Sequence, residues 1–135
     1  MVLSGSCICG KAGYEVSPPF KIFVNCHCSR CRKATGSAYA TNAVVEPGAF
    51  RWTRGESELR RFDLPEARSF AICFCGHCGS PLPHATRSGR EVIIPAGSLD
   101  RDPGVGPTRH TFWESRAPWL NSAGDLPISD GTGST

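Results

Sequence analysis

Methionine appears once and tyrosine twice in these 135 residues, and aromatic side chains make up only 9 % of the chain. Such a length and composition support a modest core, so one domain is expected. No run approaches the roughly 18 apolar residues of a membrane span. The opening MVLSGSCICGKAGYEV lacks the basic start and apolar stretch of a secretory signal. A cytoplasmic protein with no membrane partner is therefore expected. Lysines and arginines are scattered in ones and twos, with no run of the kind that grips phosphate, which argues against a nucleic-acid partner. No segment sustains a 3.6-residue apolar period, and that excludes long helices.

What is abundant is punctuation and sulfur: 15 glycines, 11 prolines and eight cysteines. So many turn formers favour short elements. Runs with β-branched or aromatic residues between turn signals predict strands over 13–16, 21–25, 38–45, 50–54, 58–64, 69–74, 91–95 and 109–113. One or two helical turns are expected around Arg30 to Ala34. The fold class expected is all-β with antiparallel hairpins. Residues 121–135 carry Gly, Ser and Asp with few apolar side chains, and read as a C-terminal tail to a domain spanning 1–120.

The cysteines fall into three groups: Cys7 and Cys9; Cys26, Cys28 and Cys31; Cys73, Cys75 and Cys78. Disulfides suit neither a reducing compartment nor C-x-C spacing, where bridges are strained. Metal-bound thiolates fit both. Zinc needs sulfurs that converge at about 2.3 Å from one ion, four for a closed structural site and three where a corner stays open for chemistry. Seven such thiolates and two Zn²⁺ ions would bring the formal charge of +3 to zero, since bound thiols are deprotonated. Spacing leaves the partition open. One division closes a site from Cys7, Cys9, Cys75 and Cys78 and leaves Cys26, Cys28 and Cys31 as the open one, with Cys73 spare. Another takes all three cysteines of 73 to 78 with one of the first pair.

The segments GSCICGKAGYEV (5 to 16), CHCSRCRKATGSAYA (26 to 40), FCGHCGSPL (74 to 82), AGSLD (96 to 100) and HTFWESRAPWL (110 to 120) together resemble the glutathione-dependent formaldehyde-activating enzyme family, which also includes centromere protein V. The resemblance implies a β-tent, small antiparallel sheets arranged around a structural zinc on Cys7, Cys9, Cys75 and Cys78. It implies a second, catalytic zinc on Cys26, Cys28 and Cys31. The expected activity is that of a zinc-dependent carbon–sulfur lyase on an adduct of glutathione or a similar small thiol, resembling S-(hydroxymethyl)glutathione synthase. The rival is a non-catalytic zinc-binding module or thiol carrier of the same fold. A homo-oligomer is compatible with the sequence but not specified by it.

Around these ligands, Arg30, Arg32 and Lys33 are candidates to hold substrate carboxylates, or else an ordinary solvated face. His27 and His77 lie between ligands and read as supporting positions. His110 reads equally as a structural histidine or an acid–base group. Trp113 and Trp119 read as core or rim aromatics, and Cys73 as a plain strand cysteine.

Overall fold

The computed structural model describes residues 1–120 and 126–132; residues 121–125 and 133–135 of the expected tail lie outside the described residues. Eleven short strands form three small sheets among the described residues, with one short helix. The first sheet holds β1 (Leu3–Ser6), β2 (Gly13–Val16) and β5 (Phe50–Arg54) in the order β1-β2-β5. The second has the order β11-β3-β4-β10-β9, from β3 (Ile22–Cys26), β4 (Ala40–Val45), β9 (His84–Ala85), β10 (Val92–Pro95) and β11 (Arg109–Thr111). The third is β6 (Leu59–Asp63), β7 (Ala71–Cys75) and β8 (Pro81–Leu82).

A strand shows one face to the core and the other away from it, and the burial follows that period. On β7 Ala71, Cys73 and Cys75 are buried while Ile72 and Phe74 are partly exposed. Phe23, Ala43, Val45, Val92 and Ile94 point the second sheet's inner face at Leu3, Tyr14, Val16 and Leu82. Tyr14 is anchored by its hydroxyl, 2.6 Å from Ser98 Oγ. Its ring crosses β1 at Gly5, where an added Cβ would lie 2.1 Å from the ring. Only glycine fits there.

Two expectations need amending. Pairing is not wholly antiparallel, because β11 runs parallel to β3, with His110 opposite Asn25. β11 comes from the far end of the chain, so no hairpin forces its direction. It also stops at Thr111, and Trp113 lies in a 3-10 turn entered through Phe112 at φ 54°. Strands β8 and β9, of two residues each, are too short to show a pattern, and β1, LSGS, carries no β-branched or aromatic residue.

Candidate metal centres and the adjoining cleft

All eight cysteines are free, and seven of them form two clusters. The sulfurs of Cys7, Cys9, Cys75 and Cys78 all lie within 4.8 Å of one another, and so do those of Cys26, Cys28 and Cys31. In the first cluster one clip follows β1 and the other is the turn after β7. Ser80 ties them, donated to by the Ile8 N–H at 3.0 Å and lying 3.2 Å from Cys78 Sγ. The turn closes with Gly79 N–H on Cys75 C=O at 2.7 Å.

Four arms of about 2.3 Å in a tetrahedron place sulfurs about 3.8 Å apart. Cys7 and Cys9 are 3.6 Å apart and Cys9 and Cys75 3.9 Å, so the donor set fits zinc. Backbone N–H groups support anionic sulfur there, Ala12 to Cys7 at 3.3 Å and His77 to Cys75 at 3.4 Å. Ser80 is the main reason the Cys78 thiol falls to about 5. The Lys11 N–H lowers the Cys9 thiol, but desolvation and the other three sulfurs together outweigh it and raise it to about 11. Four sulfurs this close together suit a divalent metal that takes up their charge.

The second cluster sits at the start of α1 (Ser29–Thr35). Cys26 ends β3, Cys28 is the helix N-cap and Cys31 lies one turn later, its N–H donating to Cys28 Sγ at 3.3 Å. Burial pushes the Cys31 thiol strongly up. Burial acts the same way on Cys28, but the Cys31 N–H and neighbouring sulfurs bring it below the ordinary value. Three converging sulfurs leave one side uncovered, and that side faces a cleft. Gly36 ends the helix at φ 66°, in the left-handed region.

His27, fully buried, fixes the backbone between Cys26 and Cys28. Its Nε2 lies 2.8 Å from His110 Nδ1, its N–H donates to Thr111 C=O at 2.9 Å, and Tyr39 and Trp113 pack on its ring. The parallel β11 thus joins two histidines 83 positions apart. His77 is exposed in the turn of the first cluster. Trp119 is exposed and takes no part in the core. Cys73 is buried 7 % exposed in the core, in neither cluster.

The cleft above Cys26, Cys28 and Cys31 has a volume of about 740 Å³. Of the three expected cations, Arg30 lines it; Arg32 and Lys33 lie instead in the last turn of α1, where they favour the helix C-terminus. Arg68 and His84 also line the cleft, and nothing in their local sequence marked them. Arg68 belongs to a loop held by Arg87, whose guanidinium donates to the carbonyls of Leu64, Ala67, Arg68 and Phe70.

A family model described as glutathione-dependent formaldehyde-activating enzyme matches residues 2–115. The chain belongs to this family. A Halomonas elongata protein provisionally named a glutathione-dependent formaldehyde-activating enzyme is 32 % identical over 130 residues, covering 89 % of this chain and 80 % of that protein. A crystal structure of a Rhodobacter sphaeroides protein is 26 % identical and superposes with a TM-score of 0.64, over 80 % of this chain and 99 % of the other. In this family member no helix among the described residues is long and apolar enough to cross a membrane.

His84 gives a pH signature. Burial first, then the Arg61 guanidinium, hold its imidazole down to about 4 from an ordinary 6.5, with Asp63 opposing. The unfolded chain therefore takes up a proton between pH 6.5 and 4 that the folded chain refuses. His84's contribution is complete above about pH 6.5 and is lost as pH falls towards 4. In urea titrations across that range, His84→Gln should remove a loss on the order of 3 kcal/mol. The difference between the two proteins separates His84 from titration of the cysteines, and identical pH profiles would contradict the assignment.

Proposed function

We propose that this chain is a zinc-dependent carbon–sulfur lyase acting on an adduct of glutathione or a similar small thiol, in the manner of S-(hydroxymethyl)glutathione synthase. The domain would span 1–120, a β-tent organised by a structural zinc on Cys7, Cys9, Cys75 and Cys78, with 121–135 as its tail. A second zinc would be held by Cys26, Cys28 and Cys31. The observation that carries the reading is the contrast between the clusters: four sulfurs enclose one position, whereas three leave theirs open to a cleft.

Zinc at the open cluster would supply stabilisation of a substrate sulfur as thiolate. In the cleaving direction, the hydroxymethyl O–H and the C–S bond break, a C=O bond forms, and the sulfur takes the proton; synthesis is the reverse. Arg30 and Arg68 on the cleft would meet the thiol's carboxylates by charge-assisted contacts. The His27–His110 contact would keep the segment carrying Cys26 and Cys28 in one orientation.

Chain purified without chelator should contain about two zinc ions. Mild chelation should remove one first, since a three-thiolate site has one protein ligand fewer. Loss of that first ion should abolish hydroxymethylglutathione turnover while leaving the circular dichroism spectrum intact. Metal-free active protein would overturn the proposal. Glutathione binding with two zinc ions and no turnover on a panel of thiol adducts would favour a carrier.

A further inference from the structure

The second sheet is apolar on both faces. A sheet packed on one side normally alternates apolar and polar residues along each strand. Here the inner face is taken up by the core, yet the outer face is also largely apolar. The register shows how it is built. Ile22 pairs with Val44, Val44 with Ile93, and Ile93 with His84, making one row across four strands. Val24 and Asn42 form the next row, and Cys26 with Ala40 the one after. Two residues separate the rows, so apolar surface starts about 7 Å from Cys26 and extends to about 13 Å along β3.

This face is the floor of the cleft that the three central sulfurs open onto, and Ile22 is 46 % exposed within it. Phe70 and Ala71 form the opposite wall. Past His84 and Ile93 the cleft continues inward between the second and third sheets as a cavity of about 160 Å³, bounded by Ala34, Ile72 and Phe74. A cavity of about that volume accommodates a benzene ring. A hydroxymethyl group fills none of it. The charges, Arg30 and Arg68, line the outer cleft and not the inner cavity.

We infer that the substrate is a thiol–aldehyde adduct whose sulfur-bound carbon keeps its hydroxyl and also bears an apolar group of up to about phenyl size. That group lies along the row Ile22, Val44 and Ile93 and reaches the inner cavity, while Arg30 and Arg68 take the carboxylates of the thiol. A narrow cavity with cations at its outer end and thiolates beside it suits one small amphiphilic molecule. The inference rests on the preceding reading, that the central cluster works on a small thiol adduct.

Calorimetric titration of the zinc-loaded full chain with glutathione and its S-methyl, S-butyl, S-hexyl and S-benzyl derivatives tests it. Each methylene that enters should tighten binding about three- to fourfold, making the hexyl and benzyl compounds at least roughly thirtyfold tighter than the methyl one. Ile93→Asn, which makes the row polar, and Ala34→Trp, which fills the inner cavity from the exposed face of α1, should each flatten the series with circular dichroism unchanged. Equal affinities across the series would overturn the inference while leaving glutathione recognition standing. Binding of none of the compounds, glutathione included, would overturn both. A dimer in light scattering that Ile22→Lys dissociates, together with a flat series, would show that a second copy of the chain covers this face and would also overturn it.

Discussion

Cys75→Ser should leave no cooperative unfolding transition at ambient temperature. Cys75 has no exposed surface, ends β7 inside the core cluster and places its sulfur 3.9 Å from that of Cys9. Structural zinc sites contribute apparent binding free energies of about 10 to 16 kcal/mol to folding, comparable with the whole stability of a domain this size. Removing one thiolate of four therefore threatens the entire fold. Cys73→Ser supplies the control. It lies two residues earlier on the same strand, is also buried, and belongs to neither cluster. Its loss should be on the order of 1 to 3 kcal/mol, the cost of an imperfectly paired buried hydroxyl. Thermal melts by circular dichroism read both. Equal melting points for the two variants would dispose of the structural role given to Cys75.

Cys28→Ser should have the opposite profile, with turnover reduced more than a hundredfold and the fold retained. Substitutions one shell out from the ligands commonly cost about ten- to a hundredfold in metal affinity or activity, and removing a ligand itself should cost more. The fold survives for a specific reason. Cys28 is the N-cap of α1 and accepts from Cys31 N–H, a task serine performs at least as well. The substitution thus removes a thiolate and keeps the cap, whereas Cys28→Ala would remove both. The melting temperature of Cys28→Ser should stay within a few degrees of the parent, with one zinc ion missing by elemental analysis. If Cys28→Ser melts the domain and Cys75→Ser does not, the two clusters have been assigned the wrong way round.

The segments 26 to 31 and 73 to 78 share the spacing C-x-C-x-x-C yet sit in different surroundings. In 73 to 78 the first cysteine lies in the core outside the cluster, although it shares a strand face with Cys75, and the remaining sulfurs come from a clip at residues 7 to 9. In 26 to 31 no distant segment brings a fourth sulfur. What distinguishes them is the arrival of a second chain segment, and that is a property of topology.

Much of the architecture was legible locally. Turn-bounded runs of β-branched and aromatic residues marked β2 and β5 to the residue, because a strand's period and its flanking glycines are encoded within five or six positions. The spacing of Cys26, Cys28 and Cys31 likewise announced one converging group, since a strand end and a single helical turn suffice to bring the sulfurs together. Pairings over long separations had no such signature. Whether Cys73 or Cys75 met Cys9 depended on where β7 ends relative to β1, 66 residues away for the Cys9–Cys75 contact. His27 found His110 through a parallel strand that no hairpin dictates. Arg30 came to line the cleft while Arg32 and Lys33, on the same short helix, fell in its last turn; a helix turns about 100° per residue, so adjacent side chains diverge. Short-range geometry settles which sulfurs can cluster, and the packing of three sheets settles which cluster closes and which opens onto a cleft.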